Sequence, residues 1–269
     1  MSEDTRRDVA RQAANVVGAV FQLGTTAYMG ARIQEVVDEG SRSLVEPAAY
    51  AFTIWGPIFL LSLAYAVYQA LPASRESALF REVGPFTAGS FACTGLWSIF
   101  VPARQFALAQ VMLLAIFACL AVAFLRLMRS DRGVVGRADR WLVALPLGVF
   151  FGWITAANAV SLTSEAVRLG LVEGGATGEV LLGTIMLLLG GILAASVVLA
   201  SQAGPAHGYL AYGATVLWAL AGVVANQYDA SLVTTAAAAV AAVLVGRALL
   251  VAWRGGRSRR EVGRNPRPV

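Results

Sequence analysis

Apolar stretches of about 20 residues alternate with short polar clusters along the whole chain, the arrangement expected of helices that cross roughly 30 Å of hydrocarbon. Eight such spans are predicted, at residues 13–31, 50–71, 84–101, 104–125, 141–162, 180–200, 208–225 and 230–253. Pro47 stands just before the second span, where a helix needs no backbone donor, and Pro102–Ala103 makes a tight turn from the third into the fourth. Pro57 and Pro146 fall inside spans two and five, where each removes an intrahelical hydrogen bond and predicts a kink. Small residues at Gly191 and Ala195, and along 234–242, predict close helix contacts. No soluble domain interrupts the alternation.

Arginine collects in three clusters: Arg6, Arg7 and Arg11; Arg126, Arg129, Arg132, Arg137 and Arg140; and Arg254, Arg257, Arg259, Arg260, Arg264 and Arg267. Four spans separate the first cluster from the second, and four more separate the second from the third, so all three lie on one side of the membrane. The opposite loops, 32–46 and 163–179, are more acidic. Because cytoplasmic loops accumulate arginine, both termini are expected to be cytoplasmic, in a bacterial cytoplasmic membrane. The amino terminus reads as the start of the first span rather than as a signal peptide.

The composition agrees: of 269 residues 58% are hydrophobic and 14% charged, where a soluble domain carries about 25% charged residues. The net charge of +5 sits beside the spans and in the tail, which makes it a topology signal; no nucleic-acid partner is expected. Cys93 and Cys119 lie about 13 and about 25 Å from the Pro102 turn at 1.5 Å per residue, too far apart for a disulfide. His207 is the single histidine, so a metal site is not expected.

Charged groups are nearly absent from the spans, which leaves no proton relay. The spans carry aromatic and amide groups instead: Tyr50, Phe52, Trp55, Phe59, Tyr65 and Tyr68 in the second, Phe91, Trp97 and Phe100 in the third, Phe150, Phe151, Trp153 and Asn158 in the fifth. Trp141, Tyr228 and Trp253 suit the membrane interface. Trp153 lies twelve residues into its span, where an indole N–H wants a partner. For Trp153 and Asn158 two readings stand, packing between helices and contact with a ligand. With a kink at Pro57 and another at Pro146, a pocket between spans two and five is expected. No histidine cluster, acidic pair or activated nucleophile supports an enzyme.

Three segments resemble the TspO/MBR family of tryptophan-rich sensory proteins: PAAYAFTIWGPIF from Pro47 to Phe59, TGLWSIF from Thr94 to Phe100, and LPLGVFFGWITAAN from Leu145 to Asn158. The resemblance covers roughly residues 10–165. It implies an all-α integral membrane bundle of about eight transmembrane helices, with a five-helix unit at 1–168, three additional helices at 169–253 and a basic cytoplasmic tail at 254–269. It also implies a sensory, binding or transport protein for a hydrophobic planar ligand, a tetrapyrrole such as porphyrin or haem, or a sterol-like lipid, with no cofactor required. Tyr50, Phe52, Trp55, Phe59, Trp97, Trp153 and Asn158 are the expected ligand-binding residues, and Arg32 and Arg42 are candidates for ligand carboxylates. The expected partners are that small molecule or lipid, the membrane, and a second copy of the chain. The chain departs from the family in its acidic first loop, in Thr94 for an asparagine and in Phe150 for a tryptophan. Two alternatives accompany this reading: an eight-helix transporter of a hydrophobic or weakly polar solute, and light-dependent porphyrin breakdown with Trp153 beside the ring.

Overall fold

The computed structural model describes residues 3–40, 44–130, 135–172 and 176–264, and among them every regular element is helical. Eight long helices follow one another: α1 (Glu3–Gly40), α2 (Trp55–Ala70), α3 (Ala78–Phe100), α4 (Phe106–Arg129), α5 (Leu145–Arg168), α6 (Ala176–Ala200), α7 (Ala206–Gln227) and α8 (Leu232–Arg264). They correspond in order to the eight apolar stretches.

Six segments are long and apolar enough to cross a membrane: 49–70, 106–129, 137–168, 177–200, 206–227 and 232–255. This is an integral membrane protein. Helices α1 and α3 are less apolar because each carries a polar stripe, and the two stripes face one another instead of lipid. Of the buried α1 residues, Asp8 accepts from Arg81 of α3, Asn15 bonds Gly84 and Thr87 of α3, and the Arg11 stem packs at Gly84, while Arg11 and Gln12 also donate to Gln69 at the end of α2. A hydropathy average cannot tell a polar group turned towards a neighbour from one turned towards lipid. Helix α3 also begins six residues before the predicted apolar stretch, at Ala78, and takes Pro85 into its interior.

At both prolines predicted to kink a span, the helix changes type and the proline stands in the first turn of the helix that follows. A 3-10 turn, Ala49–Ile54, leads into α2, and Pro57 sits in the first turn of that helix. A π turn, Arg140–Ala144, leads into α5, which Pro146 opens. Each proline lacks the N–H that would continue the preceding turn as α-helix, so the hydrogen-bond register changes just before it.

Helix α5 is the hub, with 67% of its span buried inside the protein. On one side it meets α4 and α2; α4 packs on α3, and α3 and α2 each pack on α1; on the other side it meets α6 and α7, which pack with α8. Gly148 and Gly152 allow the contact with α7. A Cβ on Gly148 would meet the Gly208 carbonyl oxygen, and one on Gly152 would meet the carbonyl of Tyr212 and, at 3.0 Å, the Thr215 side chain. Beside them Phe124, Phe151 and Tyr212 form a buried ring cluster, and the Tyr212 hydroxyl donates to Thr155 Oγ1 at 3.2 Å. The small-residue contact predicted at Gly191 joins α6 to α8, where an added Cβ would lie 2.6 Å from that of Ala241. Both cysteines are free, with Cys119 packed at Gly89, one turn from Cys93.

Candidate functional site

A cavity of about 640 Å³ lies among α2 to α5, with α6 and α7 on its remaining side. That volume suits a small organic ligand, for which pockets of about 300–1,000 Å³ are usual. The lining is mainly aliphatic and aromatic. Four of the residues expected from the sequence line it: Phe52, Trp55, Trp97 and Trp153.

These four touch one another. The Trp55 ring stacks against Trp97 with centroids 5.7 Å apart, and Trp153 stands edge-on to Trp55 at 6.1 Å and to Phe52 at 5.6 Å. Offset stacks and edge-to-face pairs are the arrangements that ring quadrupoles favour. Phe59 is outside the lining but stacks on Trp55 at 5.4 Å, one turn along α2. Tyr50 points elsewhere, edge-on to Trp218 at 5.3 Å. Asn158 is buried and ties α5 to α4: its amide donates to the carbonyls of Ile154 at 2.9 Å and Leu113 at 3.4 Å, and accepts from Gln110 at 3.3 Å. Gln110 itself lines the cavity.

Trp153 differs from these partnered groups. It is 3% exposed, and its indole N–H has no hydrogen-bond partner among the described residues.

The polar end of the cavity lies at the carboxyl-terminal turn of α5. Glu165 accepts from Arg168 Nε at 2.9 Å, and the Arg168 guanidinium stands 5.1 Å over the Phe106 ring. Glu179 on α6 accepts from the Leu44 backbone at 2.8 Å, and Glu46 completes the acidic side. Arg32, a candidate for ligand carboxylates, is exposed on α1, and Arg42 lies outside the described residues. Arg168 is the cation among the described lining residues.

The segment that carries Pro47 and Phe52 is held by α7. Ala48 N donates to the Gly222 carbonyl at 2.9 Å, Trp218 Nε1 to the Ala51 carbonyl at 3.0 Å, and the side chains of Asn226 and Gln227 both donate to the Glu46 carbonyl at 3.0 Å. Gly222 allows this approach, since a Cβ there would lie 2.8 Å from that of Ala51.

The sequence reading missed the contributions of α6 and α7 to the wall, such as Leu187, Gly190, Val216 and Leu220. Nothing in those bland apolar residues distinguishes a cavity wall from a lipid-facing surface. Gln110 was the detectable omission, a lone amide one turn into an apolar helix.

No curated protein and no solved structure matches the chain. A family model described as TSPO-like protein matches residues 12–250, across all eight helices, and the chain therefore belongs to the TSPO-like protein family.

Proposed function

We propose that this membrane protein binds a flat hydrophobic molecule in the aromatic cavity and acts as a sensory or binding protein for it. The observation that carries this reading is the buried, unpartnered N–H of Trp153 in the wall of a 640 Å³ cavity. A buried donor without an acceptor costs about 1–3 kcal/mol, a penalty relieved when a ligand supplies the acceptor. Trp55 and Trp97 offer a stacked aromatic surface beside it, so the favoured ligand combines a planar apolar body with an acceptor atom at its edge.

The tetrapyrrole implied by the family keeps its place in metal-free form. A porphyrin ring suits the aromatic wall, and its carboxylates are acceptors at the edge of the ring. The described lining holds no His, Cys, Met or Tyr, the side chains that serve as axial ligands to haem iron, so haem is the weaker candidate. Arg168 would receive a ligand carboxylate only by sharing its bond to Glu165.

A transporter with an eight-helix pathway is the second reading, favoured by the share of the cavity wall that α6 and α7 contribute. Both readings need binding. Titration of the detergent-purified protein with protoporphyrin, followed by tryptophan fluorescence, tests it. Saturable quenching is expected, with affinity lowered in Trp153→Phe and Trp55→Phe. Linear, non-saturating quenching in the native protein would remove the proposal and leave the family assignment intact.

A further inference from the structure

Helices α1 and α3 run parallel, and their contacts step along both in the same order. Asp8 meets Arg81, Asn15 meets Gly84 and Thr87, Gly18 meets Phe91, and Thr26 meets Ser98. Asp8 to Thr26 spans about 27 Å at 1.5 Å per residue, close to the thickness of a hydrocarbon core. A buried polar seam therefore runs the depth of the bundle. It is distinct from the aromatic cavity, to which α3 contributes Trp97 and Val101 instead.

Most groups in the seam have partners. The Asn15 amide donates to the Gly84 carbonyl at 2.9 Å and accepts from Thr87 at 2.6 Å, and the Thr26 and Ser98 hydroxyls share a bond at 2.7 Å. Gln22 is the exception. It is 0% exposed, and neither its amide nitrogen nor its amide oxygen has a partner among the described residues. The Gly18–Phe91 contact lies one turn to one side and the Thr26–Ser98 bond one turn to the other, which puts Gln22 at the level of Thr94. The hydroxyls of Ser90, Thr94 and Ser98 give their protons to carbonyls of their own helix at 2.8, 2.7 and 3.0 Å, which leaves oxygen lone pairs as acceptors.

A buried amide with both ends unsatisfied is strongly unfavourable, and groups of this kind are ordinarily completed by bound water or an ion. The chemistry of the amide selects between these. A cation would satisfy only the oxygen and an anion only the nitrogen, whereas a species that both donates and accepts satisfies both. We propose that Gln22 is a water-binding site at mid-depth in the α1–α3 seam, formed by its amide with the hydroxyl oxygens of α3.

Radiolytic hydroxyl labelling of the full chain in lipid nanodiscs tests this, because water bound inside a protein marks the side chains beside it. Phe91 is the reporter, at 3% exposure, and Phe151 the dry control, at 2%. Phe91 should be labelled well above Phe151 in the native protein, and Gln22→Met should abolish that difference without raising the thermal midpoint. Phe91 labelled no more than Phe151 in the native protein overturns the proposal. So does Phe91 labelling that survives in Gln22→Met, or a clear rise in the midpoint of that variant, which would show the amide to be dry.

Discussion

The indole N–H of Trp218 on α7 donates to the backbone carbonyl of Ala51, 167 residues earlier in the chain, at 3.0 Å. Ala51 lies in the 3-10 turn that presents Phe52 to the cavity, so a helix beyond the first five positions one of its aromatic walls. Trp218→Phe removes this bond and keeps most of the ring. A hydrogen bond worth about 1 kcal/mol corresponds to roughly fivefold weaker ligand binding if the turn relaxes. The protoporphyrin titration measures it, and unchanged affinity would show that the turn holds its shape without α7.

Gly190 on α6 lines the cavity, and a Cβ there would make only an ordinary contact with Ala159 at 3.4 Å. A larger side chain can thus enter the cavity without disturbing the backbone. Gly190→Leu is expected to weaken binding by at least about tenfold, by occupying space the ligand needs, while the thermal midpoint stays within a few degrees of native. If ligand sits only among the first five helices, affinity will not change.

Gly148 and Gly152 lie one turn apart on α5, against the backbone of α7. Alanine at either position forces the two helices apart, an overpacking cost of about 1–3 kcal/mol. Thermal unfolding of Gly148→Ala and Gly152→Ala should show lowered midpoints, whereas Gly24→Ala, where an added Cβ meets nothing within 4 Å, serves as the neutral comparison.

Asp8 precedes the apolar part of α1, and hydrogen bonds from Arg81 hold its carboxyl below the ordinary value of 3.8, against an opposing push from burial. Its folded-state pKa is lower than its unfolded one, so its contribution to stability is complete above the unfolded value and fades as pH falls through the folded value. The thermal midpoint should therefore drop below about pH 4. Asp8→Asn should lower the midpoint at neutral pH and flatten that acid limb; an equally steep limb in the variant would assign it to other carboxylates.

Trp55, Trp97 and Trp153 were visible in the sequence because each is a large ring inside an apolar span and within one of the three segments that resemble the family. Asn158 was visible too, but whether it faced a ligand or a neighbouring helix was not, and the structure turns its amide to Gln110 and Leu113. Tyr50 carried the same aromatic signal as Phe52, two residues away, yet it turns to Trp218. The Gly148–Gly152 pair could have been read as a close-packing motif, though not its partner, α7.

By itself, then, the sequence determined that eight helices follow one another, that prolines interrupt the regular hydrogen bonding of the second and fifth spans, and that the chain resembles the family in its aromatic pattern. Hydropathy and backbone hydrogen bonding act over a few turns and are written locally. Only the tertiary structure decided which faces meet: the polar stripe of α1 with that of α3, α7 with the turn before α2, and α6 with the open side of the cavity. Those choices depend on how each helix is rotated and which helix it pairs with, and residues far apart in the chain settle them together.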